Sequence, residues 1–212
     1  MRRKDREVTD NTARRAIMDN AAWMTLSLAD KDGPYGVPLS FALVDSGALA
    51  AADAEAGSAR GSVVSDEGAF GLVHESLATD EGKAGLVGEA VAAGEGGACG
   101  APCIVFHTAL AGRKRALLDA EPRCHCIFVG AAATRDPGPD GPGCSIGVAY
   151  ASAFVEGIVE RVTDPARCAL IAAALVQRYG GPGRQVREEE MARIACYCVH
   201  PVAWSGKSSI TA

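Results

Sequence analysis

Residues 103–118 read CIVFHTALAGRKRALL and join an apolar strand pattern to the start of a basic helix. Residues 104–106 are the β-favouring, apolar side chains of a buried strand. His107 and Thr108 are the first polar side chains at the end of that strand, and Gly112 then gives the chain freedom to turn. The stretch therefore predicts a strand, a turn and a helix in direct succession.

Three cations, Arg113, Lys114 and Arg115, occupy the predicted first turn of a helix that ends before Pro122. Cations at a helix N-terminus oppose the macrodipole, so this arrangement is locally unfavourable. A bound phosphate would make the arrangement favourable, because free backbone N–H groups and cations would both face it. The pattern is compatible with an anion site and with a solvent-exposed basic turn.

The composition places limits on the class of protein. The chain has 212 residues, which suits a single domain, 1–212, with a core of its own, and its net charge of −5 argues against a general nucleic-acid binder. An apolar run of about 18 residues, as a membrane span requires, is absent from the sequence. The charged start at Met1 is not followed by an apolar segment, so we expect a cytoplasmic protein without a signal peptide.

The chain contains eight cysteines, at positions 99, 103, 124, 126, 144, 168, 196 and 198. In a chain of this length without a signal peptide, we expect reduced thiols. Residues 124–126 (CHC) and 196–200 (CYCVH) resemble short zinc motifs, but both lie in predicted strands. Residues two apart on a strand are separated by about 6.5–7 Å, too far for easy chelation by Zn–S bonds of about 2.3 Å. No metal site is predicted, and the cysteines are expected to be small apolar strand residues.

Two strands are predicted before the stretch at 103–118, over residues 22–29 and 35–44. Pro38 cannot donate a hydrogen bond to a ladder, so the second strand belongs at a sheet edge or a bulge. Gly36 and Pro38 together would let a ligand approach this backbone, although an ordinary edge strand has the same pattern. Residues 45–47 (DSG) predict a hairpin turn.

Residues 48–101 differ from the rest of the chain in composition. They are rich in Gly, Ala and Ser and hold nine acidic residues against two basic ones. The segment looks inserted between the two strands of one hairpin. We expect this insertion to lie near the rim of the site.

The remaining elements complete a mainly β pattern. Helices are predicted over residues 9–20 and after Asp164 and Pro165, which suit the N-cap and first helical positions. Strands are predicted over 123–129, 145–162 with a bend at Gly157, and 194–203, with a loop over 130–143. Strands joined by short turns, with few helices between them, indicate a mainly antiparallel barrel with peripheral helices.

Several short motifs follow one another in a characteristic order: Met1–Glu7, Pro34–Phe41, Phe106–Ala109, Gly112–Lys114, Tyr150–Ser152, Glu156–Gly157 and Gly206–Lys207. Their order and spacing resemble the pyridoxamine 5'-phosphate oxidase-like flavin-binding split barrels, and most of all the Nim group of nitroimidazole-resistance proteins. The resemblance covers residues 1–47 and 103–208. It implies a six-stranded antiparallel split β-barrel of the FMN-binding type, interrupted by the insertion at about 48–101. It also implies a homodimer with two FMN sites at the subunit interface.

The resemblance assigns eleven residues to the flavin site. A strand along the flavin ring would be formed by Val37, Pro38, Leu39 and Ser40, and the polar residues near the ring and ribityl chain would be His107 and Thr108. The phosphate would be held by Arg113 and Lys114, and Ser152 would make a polar contact with the flavin. The C-terminal residues Trp204 and Lys207 would reach the partner's site. In the Nim group, the histidine at the position of His107 lies beside the flavin and is associated with substrate chemistry. His107 is therefore the candidate catalytic residue, with a structural strand-end histidine as the alternative.

The function implied by the resemblance is an FMN-dependent oxidoreductase of the nitroreductase type, which takes electrons from NAD(P)H and passes them to a small-molecule acceptor. His107 would donate a proton, because its ordinary pKa near 6.5 suits proton exchange at neutral pH. The C-terminus lacks the pyridoxamine phosphate pattern, so oxidation of vitamin B6 is not expected. Alternatives are a non-catalytic flavin- or haem-binding barrel and a deazaflavin-dependent reductase, which the acidic insertion disfavours.

Overall fold

A computed structural model describes residues 4–51, 100–180, 183–184 and 186–210 of the chain. Apart from its ends, the insertion at 48–101 lies outside these residues. The strands are β1 Glu7–Val8, β2 Met24–Leu28, β3 Tyr35–Leu39, β4 Ala42–Val44, β5 Cys103–Ala109, β6 Arg123–Arg135, β7 Gly147–Val162 and β8 Ile194–Ser208. The helices are α1 Asn11–Asn20, α2 Arg113–Ala120, α3 Pro165–Tyr179 and α4 Glu188–Met191, and residues 46–51 are also helical.

All eight strands belong to one antiparallel sheet with the order β3-β2-β6-β7-β8-β5-β4, and β1 pairs with β8. The two ends of this order, β3 and β4, are joined by only Ser40 and Phe41, so the sheet curls until its ends meet. The prediction of a mainly β, antiparallel split barrel with peripheral helices is confirmed. The expected six strands become eight because the run at 35–44 is divided and the short β1 is added.

The division of the run at 35–44 corrects the prediction of one continuous strand. The Phe41 side chain is fully buried and packs edge-on against Phe128, with ring centroids 4.9 Å apart. The Phe41 N–H donates to the Tyr179 hydroxyl on α3 at 3.2 Å. Because this backbone donor is bonded to a helix side chain, the chain leaves one ladder at Ser40 and enters another at Ala42.

Three further boundaries differ from the predictions. A helix begins at Ser46 where a hairpin turn was expected, because this alanine-rich run is a good helix former and buries Leu49. The β6 strand continues to Arg135 instead of ending in a loop at 130, because a bulge between Val129 and Ala131 keeps it paired with β7. The β8 strand continues to Ser208, because its second half also pairs with β7.

Aspartate side chains cap the N-termini of α1 and α3, and the cap at Asp164 was predicted. Asp10 accepts a hydrogen bond from the Ala13 N–H at 2.7 Å at the start of α1. Asp164 accepts from the Arg167 N–H at 3.0 Å at the start of α3. Both N-caps satisfy a backbone donor that the helix itself cannot pair.

Residues on β5 alternate between two cores. Ile104 and Phe106 enter the barrel interior, whereas Cys103 and Val105 face the outer layer that α3 covers. Five of the predicted apolar cysteines, at positions 103, 124, 126, 196 and 198, are buried in these two cores. Across the described ranges, the structure shows no helix with the length and apolar character of a membrane span.

Candidate functional site

The barrel opens between β3 and the second half of β5. β4 pairs with β5 up to the Ala42–Val105 pair, and the same register carried further would bring Ser40 opposite His107. The β3 strand pairs with β2 instead, so the two segments separate at this point. Ser40 and His107 both line a groove of about 470 Å³ alongside α3. We call the gap between β3 and β5 the split.

The strand β3 forms one side of the split and carries three of the predicted ring contacts. Among the described residues its only strand partner is β2, so its other edge is not paired to a strand. Val37 and Leu39 are half-buried, and Pro38 is exposed at the edge, as predicted. An open strand edge presents backbone N–H and C=O groups to whatever lies in the split.

The three cations at the start of α2 have different partners. The Arg113 guanidinium contacts the Asp30 carboxylate at 2.6 and 2.9 Å and lies 5.0 Å from the centre of the Tyr35 ring. The Arg115 guanidinium donates to the Leu110 carbonyl at 2.6 Å and also reaches Asp119. Arg113 and Arg115 are therefore both engaged within the chain.

Lys114 is half-buried and, within the described part of the chain, makes no ion pair. Burial lowers the pKa of its ammonium group, because the charged form loses hydration without gaining a partner. A half-buried cation without a counter-charge marks the position at which an anion would be stabilised.

The backbone beside Lys114 is also suited to an anion. Gly112 precedes α2 with φ of 122° and has no side chain to cap the helix. The first backbone N–H groups of α2 therefore have no capping acceptor, and a Cβ at Gly112 would meet nothing within 4 Å. An uncapped helix start and an unpaired lysine fit the phosphate of the flavin mononucleotide that the motifs imply.

His107 and Thr108 lie on opposite faces of β5. His107 is exposed on the groove side, whereas Thr108 is only 4% exposed and faces the interior, where its hydroxyl donates to the Ala109 carbonyl at 2.8 Å. Loss of hydration at the groove, and then the charge of Lys114, lower the pKa of His107, which favours its neutral ring at pH 7. The structure brings His107, but not the Thr108 hydroxyl, to the groove.

Ser152, Trp204 and Lys207 lie together on β7 and β8, away from the split. Ser152 pairs with Lys207, and its hydroxyl is 3.4 Å from the Lys207 carbonyl oxygen. The Arg14 guanidinium lies 5.5 Å from the Trp204 ring.

One chain does not bring these residues to the split. His107 pairs with Cys196 on β8 and Ser152 with Lys207 on the same strand. The two β8 positions are eleven residues apart, which corresponds to about 36 Å of strand.

Asp30 and Tyr35 also belong to this region, although the sequence predicted no role for either residue. They lie on either side of the turn between β2 and β3, and both contact Arg113. The Arg113 side-chain hydrogen bond holds the pKa of Asp30 below its usual value. The turn could be predicted from the sequence, but its contact with α2 depends on the closure of the barrel.

Solved structures that share this fold include the following three. A candidate 5-nitroimidazole antibiotic resistance protein from Bacteroides thetaiotaomicron has a TM-score of 0.59 at 14% identity and covers 95% of this chain and 85% of its own. The FAD and haem binding protein of Mycobacterium smegmatis has a TM-score of 0.58 at 14% identity, with coverages of 97% and 74%. The flavocytochrome Anf3 of Azotobacter vinelandii has a TM-score of 0.59 at 14% identity, with coverages of 100% and 72%.

At this level of identity, the structural likeness establishes the fold and nothing further. No curated protein sequence gives a significant match to the chain. Residues 90–208, more than half of the sequence, match the family described as pyridoxamine 5'-phosphate oxidase. This match includes β5, α2 and the long strands β6 to β8. The chain therefore belongs to the pyridoxamine 5'-phosphate oxidase family.

Proposed function

We propose that this protein is an FMN-dependent oxidoreductase that takes electrons from NAD(P)H and passes them to a small-molecule acceptor, with a nitroaromatic as the favoured class. The observation that carries the proposal is the half-buried, unpaired Lys114 at the uncapped start of α2, next to the split. This arrangement suits a dianionic phosphate attached to a flat ring.

Each side of the split has its own task in this proposal. Lys114 and the first N–H groups of α2 would hold the phosphate, and Arg113 would assist while it remains paired with Asp30. The open edge of β3 at Val37, Pro38 and Leu39, together with the following Ser40, would offer backbone groups to the polar side of the ring. These contacts would hold the flavin in the split.

His107 is positioned to exchange a proton with an acceptor in the groove. It is exposed there beside Ser40, and its lowered pKa leaves the ring neutral at pH 7. A neutral imidazole has one nitrogen that donates and one that accepts, so it can hand on a proton and recover it from water. The bound flavin would supply the redox chemistry, by accepting hydride from the nicotinamide and reducing the acceptor.

The choice of a nitroaromatic acceptor depends on resemblance. The motif around His107 matches the Nim group, and the fold is shared with a protein named as a candidate for 5-nitroimidazole resistance. The groove beside His107 has a volume of about 470 Å³, which is large enough for a small aromatic ring.

We further propose a homodimer in which the partner completes each site. Along β8, the position of Ser152 and Lys207 is about 36 Å of strand from the position opposite His107, and Trp204 is about 26 Å from it, which favours a role for these residues in the partner's site. Val129, Val148 and Val202, on β6, β7 and β8, are each more than half exposed and offer apolar surface for a second copy. Sedimentation or light scattering of the full chain tests the dimer, and a monomer with bound flavin would contradict it.

The oxidoreductase proposal is tested with the full chain reconstituted with FMN. Anaerobic addition of NADH or NADPH should bleach the flavin absorbance, and a nitroimidazole should then restore it. A His107→Gln variant should still bind FMN and accept electrons from the nicotinamide, but should reduce the nitroimidazole more slowly.

A flavin- or haem-binding protein without turnover is the second candidate. The shared fold of the FAD and haem binding protein and of the flavocytochrome favours it. Bound FMN that no nicotinamide reduces, or a haem absorbance band in the purified protein, would decide for this candidate.

A further inference from the structure

Two cysteines and one histidine lie together on the outer face of the sheet, away from the split. One residue beyond the Ile104–Val199 pair, Cys103 of β5 comes opposite His200 of β8, and Cys198 precedes His200 by two residues on the same face. Their sulfur and ring nitrogen ligand atoms lie within 4.8 Å of one another. We call these three residues the thiol–imidazole cluster.

The neighbours of the cluster orient its histidine. The His200 Nε2 atom lies 2.7 Å from a Glu160 carboxylate oxygen, and Arg167 holds both oxygens of that carboxylate at 2.7 and 2.9 Å. Glu160 lies on β7 directly opposite Cys198, so β5, β8 and β7 all contribute to this region. With Nε2 bonded to a carboxylate, Nδ1 is the ring nitrogen left for another ligand, and metal-binding histidines commonly have such a carboxylate partner.

We propose that Cys103, Cys198 and His200 form a zinc site with two thiolate ligands and one imidazole ligand, supported by Glu160. Two sulfurs bound to a tetrahedral zinc ion at about 2.3 Å lie about 3.8 Å apart, so the present spacing needs side-chain shifts of only about 1 Å. The two sulfurs are buried, whereas the His200 side chain is 44% exposed and gives the ion a way in. The fourth position is left for water.

A disulfide is a poorer explanation of the same cysteines. Cys198 pairs directly with Val105, so Cys103 and Cys198 are diagonal neighbours on adjacent strands. The Cα atoms at diagonal positions are about 7–8 Å apart, whereas the Cα atoms joined by a disulfide are about 4.4–6.8 Å apart. The two thiols can meet through a metal ion without movement of the backbone.

The proposed zinc site is separate from the flavin site. His107 follows Cys103 by four residues on β5, which places the two about 13 Å apart along the strand. Zinc binding would join β5 to β8 beneath α3 whether or not a flavin is present. The sequence prediction excluded zinc ligation by residues two apart on one strand, but the ligand atoms of Cys198 and His200 lie within 4.8 Å of each other. Cys103 comes from the neighbouring strand, so its contribution depends on the register of β5 against β8.

The test uses the full chain, reduced with a thiol-free reductant, stripped with a chelator and titrated with Co²⁺ as the probe. We expect one ion per chain, a thiolate-to-cobalt charge-transfer band, the visible bands of a tetrahedral site, and displacement by Zn²⁺. Cys103→Ser and Cys198→Ser should each lower the intensity of the charge-transfer band and greatly weaken cobalt binding. Glu160→Gln should weaken cobalt binding about 10- to 100-fold. Cys196→Ser is the matched control, because Cys196 is buried on the same strand and face but lies outside the cluster.

The proposal is overturned if the reduced wild type shows no thiolate–cobalt band, or if Cys198→Ser binds as tightly as Cys196→Ser. X-ray absorption at the zinc edge needs no variant and covers the case in which a substitution prevents folding. Two sulfur neighbours at about 2.3 Å and a nitrogen at about 2.0 Å support the site, whereas neighbours of nitrogen and oxygen alone refute it.

Discussion

Replacement of Lys114 by glutamine tests the contribution of this one charge to binding of the flavin phosphate. Of the three cations at the start of α2, Arg113 is paired with Asp30 and Arg115 with the Leu110 carbonyl and Asp119. Lys114 alone of these three makes no ion pair within the described residues. Lys114→Gln removes its charge and keeps a side chain of similar length.

The expected loss follows from the burial of Lys114. Two unit charges 4 Å apart attract by about 1 kcal/mol at a dielectric constant of 80 and by about 4 kcal/mol at 20. A half-buried lysine lies between these limits, so a loss of about 2 kcal/mol is expected, which corresponds to a Kd for FMN about 30-fold higher. Riboflavin has the same ring and ribityl chain but no phosphate, so its affinity should not change.

The assay is titration of the flavin-free protein with FMN and, separately, with riboflavin, monitored by quenching of flavin fluorescence. Arg115→Gln is the control, because its guanidinium is already engaged within the chain and its loss should weaken FMN far less. The reasoning is refuted if Lys114→Gln leaves FMN affinity unchanged, or if it weakens FMN and riboflavin to the same extent.

Three other expectations follow from single contacts. Proton NMR should show His107 titrating below its ordinary pKa of 6.5 in the flavin-free protein. In Lys114→Gln the pKa of His107 should be higher, because a neighbouring positive charge is removed, and an unchanged pKa would contradict the charge effect of Lys114. Gly130→Ala should lower the free energy of unfolding by about 1–3 kcal/mol in chemical denaturation, because the added Cβ would overlap the backbone carbonyl of Ile17 in α1. Gly147→Ala is the control and should leave the free energy of unfolding nearly unchanged, because an added Cβ there would meet open space. Asp164→Ala should lower the free energy of unfolding by about 1 kcal/mol, because the N-cap of α3 is lost. A variant as stable as the wild type would show that Asp164 does not stabilise the helix as a cap.

Local chemistry in the sequence was enough to predict many of the elements. Asp164 and Pro165 begin α3 because a carboxylate can cap a helix and proline needs no partner for its missing N–H. Pro38 lies on an edge strand because it cannot donate to a second ladder. These features depend on a few neighbouring residues, so one sequence contains enough information to find them.

Features that depend on distant contacts were not predictable in the same way. The strand run is interrupted between β3 and β4 because the Phe41 N–H donates a hydrogen bond to the hydroxyl of Tyr179, a residue 138 positions later. The different roles of the cations at the start of α2 depend on Asp30, which reaches Arg113 only when the barrel closes. The thiol–imidazole cluster likewise depends on the register of β5 against β8.

The absorbance spectrum of the purified protein after incubation with FMN, followed by anaerobic titration with NADH and NADPH, tests the central claim most directly. We predict that the flavin spectrum remains after gel filtration, with one FMN per chain. We also predict that NADH or NADPH reduces the bound flavin and bleaches its absorbance. A protein that retains no flavin, or a bound flavin that neither nicotinamide reduces, would contradict an FMN-dependent oxidoreductase.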